Sequence, residues 1–86
     1  MLLLNMNFGQ PNFGEMLSSL RHRKGIKQSD LAKIMNVSNT TISSWETNNS
    51  EPSLAQLRTL SEFFNVPVGV LLETEEFRFT DKRSKY

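Results

Sequence analysis

The sequence has no cysteine, which removes disulfides and thiolate metal ligands from its chemistry. It has a single histidine, His22, which leaves little material for a zinc site or a Ser–His–Asp triad. Long apolar runs are also missing. Met1-Leu2-Leu3-Leu4 is soon interrupted by Asn5 and Asn7, follows no basic stretch, and is too short for the core of a secretion signal. Nothing approaches the roughly 18 consecutive apolar residues of a membrane span. The expectation is a soluble, cytoplasmic protein with no metal, no cofactor and no membrane partner. With 86 residues there is one domain, because a second would lack residues for its own core. What is present, 37% apolar and 22% charged residues, is a globular balance.

The net charge of +1 conceals a segregation. Residues 1–44 carry Arg21, Arg23, Lys24, Lys27 and Lys33 against Glu15 and Asp30. Residues 45–76 carry Arg58 against six glutamates: Glu46, Glu51, Glu62, Glu73, Glu75 and Glu76. Residues 77–86 are basic again, with Arg78, Lys82, Arg83 and Lys85 against Asp81. Such a chain can present one positive face to nucleic acid, or it can simply be well solvated. Charge alone leaves both readings open.

Residues 1–11 contain the turn signal Gly9-Gln10-Pro11 and read as an N-terminal arm. A domain over 12–73 follows, then a polar tail over 74–86. Asn12-Phe13-Gly14-Glu15 has the form of a capping box, and Phe13, Met16, Leu17 and Leu20 continue it as an apolar stripe. Basic residues 21–24 and then Gly25 suit its end. A second helix is expected over 28–35, with Lys27 a poor cap that leaves its start prone to fraying. Asn36 then takes positive φ. Ser38 caps a third helix over 39–47, with Ile42, Trp45 and Glu46 inward and Asn39, Thr40, Thr41, Ser43 and Ser44 as a small, uncharged polar face. Ser53-Leu54-Ala55-Gln56 caps a fourth helix over 54–65, and Pro67 opens a short fifth over 68–72. Phe77 and Phe79, alternating with Arg78 and Thr80, give a weak strand signal in the tail.

The stretch 13–72 resembles the helix-turn-helix domain of the Cro and phage-repressor (Xre) family. The residues that carry the resemblance are Gln28-Ser29-Asp30-Leu31-Ala32, Val37-Ser38-Asn39-Thr40-Thr41-Ile42-Ser43-Ser44-Trp45-Glu46, Pro52, and Val66-Pro67-Val68 through Leu71-Leu72. Ala32 is small where two helices cross closely. Asn36 stands four residues on, at the turn, and Ile42 fills the wedge that Leu31, Val37 and Trp45 close.

The resemblance implies an all-α, five-helix, lambda-repressor-like fold; no catalytic constellation is visible in the sequence, so no enzyme activity is expected. The resemblance also implies sequence-specific binding of double-stranded DNA, by a small homodimeric repressor whose third helix enters the major groove of a palindromic operator. By position, Ser38, Asn39, Thr40, Ser43 and Ser44 face bases or adjoining phosphates, and Gln28 bonds a phosphate. Lys27, Thr41 and Asn49 are further phosphate candidates, each with plain surface as its alternative. Arg21 and Glu46 are implied to form a structural ion pair. The chain departs from the family pattern in lacking Arg and Lys on the third helix, so a weak monomeric grip and a need for two half-sites are expected. Phe63, Phe64, Val68 and Leu71, extended by Phe77 and Phe79, are the expected dimer contact; the alternative is that they complete the monomer's core. No further domain and no small-molecule ligand are expected. The alternative function is a protein-interaction module on the same fold, either an antitoxin or an inhibitor of another regulator.

Overall fold

The computed structural model describes residues 12–72. The arm, Glu73 and the tail with Phe77 and Phe79 lie outside that range. Among the described residues the structure is all-helical: α1 Phe13–Lys24, α2 Gln28–Met35, α3 Asn39–Glu46, α4 Leu54–Phe64 and α5 Val68–Leu71.

Local chemistry sets each boundary. At α1 the Asn12 Oδ1 accepts the Glu15 N–H at 2.9 Å, and Glu15 Oε1 accepts the Asn12 N–H at 3.2 Å. Gly25 ends the helix at φ 72°, where a side chain would be strained. The start of α2 does have an anchor despite Lys27, because Asp30 reaches back to accept the Lys27 N–H at 2.8 Å. Ser38 caps α3 through the Thr41 N–H at 3.0 Å, and Ser53 with Gln56 forms a reciprocal box on α4. The non-glycine residues at positive φ are Asn36, Asn48 and Asn65, all of the residue type that tolerates that region best. Asn36 and Asn65 close α2 and α4.

Every helix contributes to one core. Leu17, Leu31, Ile42, Leu60 and Leu71 are fully buried, and Leu20, Ala32, Met35, Trp45, Leu57 and Phe64 complete the cluster. Each large aliphatic in it contributes about 1.5–3 kcal/mol of burial. The helix α3 packs on both α1 and α2, while α5 packs on α4 and α1. This packing corrects the expected dimer surface. Phe64 and Leu71 face the monomer's own core, with 8% and 0% exposure. Phe63 and Val68 are half-buried against it. Phe63 is further covered by an edge-on contact with Phe64 and by the Lys24 ammonium, 4.9 Å above its ring. One helical turn at α5 hides more than its length implies, because it lies across two other helices. The exposed large apolar side chains among the described residues are Ile34, Leu54 and Leu72.

Candidate nucleic-acid interface

The helix α3 buries Ile42 and Trp45 and turns its other side outward. At about 3.6 residues per turn, positions 39, 40, 43, 44 and 47 share that outer side. Asn39 and Thr40 are exposed, and Ser43 and Ser44 are half-buried. Asn39, Thr40 and Ser43 make no side-chain hydrogen bond among the described residues, so their polar groups remain available. Ser44 shares its hydroxyl with Ser50 at 2.7 Å. Ser38 is occupied as the cap, and the Thr41 hydroxyl lies 2.9 Å from it.

Two residues the sequence reading did not assign also bear on this surface. Thr47 is exposed one turn beyond Ser43, and its hydroxyl donates to the Ser43 carbonyl at 3.0 Å. The i to i+4 spacing from Ser43 would have found it. Asn49, a phosphate candidate, is exposed in the loop and donates its amide to Thr47. Asn48, at φ 64°, ties that loop to the start of α1. Its Oδ1 accepts the Gly14 N–H at 3.0 Å, and its Nδ2 donates to Asn12 Oδ1 at 2.9 Å. That contact spans more than thirty residues and leaves no periodic signal in sequence.

Behind α3 lies a fork. Arg21 Nε meets Glu46 Oε2 at 2.6 Å, and Arg21 Nη2 meets Oε1 at 3.1 Å. Arg21 Nη1 donates to the Ile26 carbonyl at 3.0 Å. The hydrogen bond to Glu46 and its charge raise the Arg21 pKa above its ordinary value, against the opposing effect of burial. Gln28 donates its Nε2 to the same Glu46 Oε1 at 2.9 Å. One carboxylate thus joins α1, α2 and α3.

Two members of that junction, Arg21 and Gln28, line an open cleft of about 490 Å³ together with His22, Gly25, Ile26, Lys27, Ser29 and Asn39. The cleft brings together Lys27, Gln28 and Asn39 at the N-terminal end of α2, where backbone N–H groups lack intrahelical partners and the helix dipole favours an anion. Thr41 and Asn49 do not line it. Among the described residues, no group of three or more acidic or imidazole side chains converges on a metal site, and no helix is long and apolar enough to cross a membrane.

Comparison with known proteins agrees with this architecture. Residues 17–71 match the Helix-turn-helix family model. Over 64 residues, the chain is 41% identical to the HTH-type transcriptional activator BcrR of Enterococcus faecalis. That alignment covers 74% of this chain but 31% of BcrR, so the chain spans about a third of that relative's length. Among solved structures, the P22 c2 repressor in complex with a synthetic operator superposes with a TM-score of 0.70 at 32% identity, covering 76% of this chain and 98% of that one. A transcriptional regulator from Listeria innocua superposes at 0.72 with 25% identity, covering 84% and 67% respectively. The chain belongs to the helix-turn-helix family, as a DNA-binding domain of the Cro and phage-repressor type.

Proposed function

We propose that this domain regulates transcription by binding a specific operator in double-stranded DNA, with α3 in the major groove and the α2 cleft on the sugar–phosphate backbone. The carrying observation is that the outer face of α3 is exposed, polar and uncharged, and sits beside a cleft holding Lys27 and Gln28. On this reading Asn39 and Thr40 lead base contact, with Ser43 and Ser44 beside them. Asn bonds adenine at N6 and N7, and Ser or Thr bonds any base edge. Ser38, whose hydroxyl caps α3, is exposed at the start of the same face and lies beside a base edge or the adjoining phosphate. Lys27 and Gln28 hold the backbone, which fixes position without reading sequence.

An α3 without Arg or Lys grips weakly as a monomer, so two copies on a palindrome combine their energies, with recognition helices roughly 34 Å apart. Pairing through residues after Leu60 rests on exposed Leu72 and half-buried Phe63 and Val68, in place of Phe64 and Leu71. Repression by occupying the operator is supported by the likeness to the P22 c2 repressor, while BcrR is an activator. A DNA-regulating role places the protein in the cytoplasm and gives it no catalytic task.

Enrichment of random duplexes by the purified protein tests the reading. A single palindromic motif, with sedimentation showing two chains per duplex, is the expected result. Enrichment of no motif refutes sequence-specific binding, and equal affinity for one half-site and two refutes pairing.

A further inference from the structure

His22 lines the same cleft as Lys27, Gln28 and Ser29. It is exposed, in the last turn of α1, where the helix dipole favours a cation. Its Nδ1 lies 2.8 Å from the Ser18 carbonyl oxygen. A carbonyl oxygen only accepts, so the tautomer that satisfies this contact carries its proton on Nδ1, with the Ser18 hydroxyl 3.4 Å away. The neutral ring then has a bare lone pair on Nε2, which has no hydrogen-bond partner among the described residues. A second proton turns Nε2 into a charged donor without disturbing the bond that orients the ring.

From this geometry we infer that His22 is a proton-gated phosphate contact, idle when neutral and adding one charge-assisted hydrogen bond to the DNA backbone when protonated. The inference rests on the α2 cleft meeting DNA phosphate, as proposed above. The charged groups on the helices that meet at the cleft support a single switch. Arg21 is committed to Glu46 and the Ile26 carbonyl. Glu46 is shared between Arg21 and Gln28. Asp30 is bound to the Lys27 N–H. Lys27 is the remaining cation lining the cleft, and Arg23 and Lys24 follow His22 on its own helix. Among the described residues, no carboxylate lines the cleft to pair with the imidazolium in place of a phosphate. With one histidine in the sequence, any proton-linked difference on its replacement belongs to one ring.

The test measures binding of the full chain to an operator duplex and a random duplex, at about pH 8 and about pH 5.5, across a salt series. For the unaltered protein, both duplexes should bind more tightly at the lower pH, and the salt slope should steepen by about 0.9, the value of one added phosphate contact. His22→Asn should abolish that difference and match the unaltered protein at about pH 8, with an unchanged melting temperature at that pH. A salt slope equal at both pH values, or a pH effect that survives His22→Asn, overturns the inference while leaving the DNA-binding reading intact. Failure to bind either duplex at any pH overturns both.

Discussion

Replacing Gly14 by alanine separates helix propensity from tertiary contact, because the two predict opposite signs. Gly14 is the second residue of α1, and alanine in a helix is favoured over glycine by about 0.5–1 kcal/mol. The structure opposes it. A Cβ on Gly14 would lie 2.2 Å from the Glu46 carbonyl oxygen and 2.7 Å from both the Glu46 carbonyl carbon and Asn48 Nδ2. Two of those three neighbours are backbone and cannot rotate away, so α1 and the end of α3 must separate by more than an ångström. Overpacking of this kind costs about 1–3 kcal/mol. Separation also breaks the Gly14 N–H to Asn48 bond, whose net contribution is about 0.5–1.5 kcal/mol. Offset by the propensity gain, Gly14→Ala should destabilise the domain by about 1–3 kcal/mol. At about 4–8 °C per kcal/mol for a domain of this size, Tm should fall by about 5–20 °C. Calorimetry or thermal circular dichroism on the two proteins measures it. An unchanged or higher Tm would show that the close approach of Gly14 to Glu46 does not exist in solution.

Arg21→Ala leaves the nearly buried Glu46 carboxylate with only Gln28, so stability should fall by about 3–5 kcal/mol; a double-mutant cycle with Glu46→Gln giving zero coupling would be evidence against the fork. Asn39→Ala should cost about 1–3 kcal/mol at the operator and little on random duplex, and equal losses on both would remove Asn39 from base reading. Gln28→Ala should weaken operator and random duplex alike in paired binding curves at fixed salt, because a phosphate contact carries no sequence information. A changed base preference with intact random binding would contradict that role.

The sequence by itself determined the helices and their ends. The boundaries are local: Asn12, Ser38 and Ser53 cap through bonds to residues three positions away, and Gly25 and Asn36 stop helices by their own φ. The spacing from Ala32 through Asn36 to Ile42 likewise carried the family resemblance, since a tight helix crossing needs a small residue, a left-handed turn and a wedge at fixed intervals. Lys27 is the poor cap that its residue type implies, with no side-chain cap bond, but fraying does not follow because Asp30, on the other half of the capping box, anchors the helix start.

Only the tertiary structure decided which apolar side chains are surplus. Spacing marks Phe63, Phe64, Val68 and Leu71 as one apolar set, but whether α5 lies across α1 and α4 or projects away is a non-local choice, and it buries Phe64 and Leu71. The same holds for polar groups. That Gln28 shares Glu46 with Arg21, that Asn48 clamps Gly14, and that His22 joins Lys27 and Asn39 in one cleft all depend on residues far apart in the chain meeting at fixed distances. Propensity and periodicity act within a few residues, and such meetings exist only once the helices have packed.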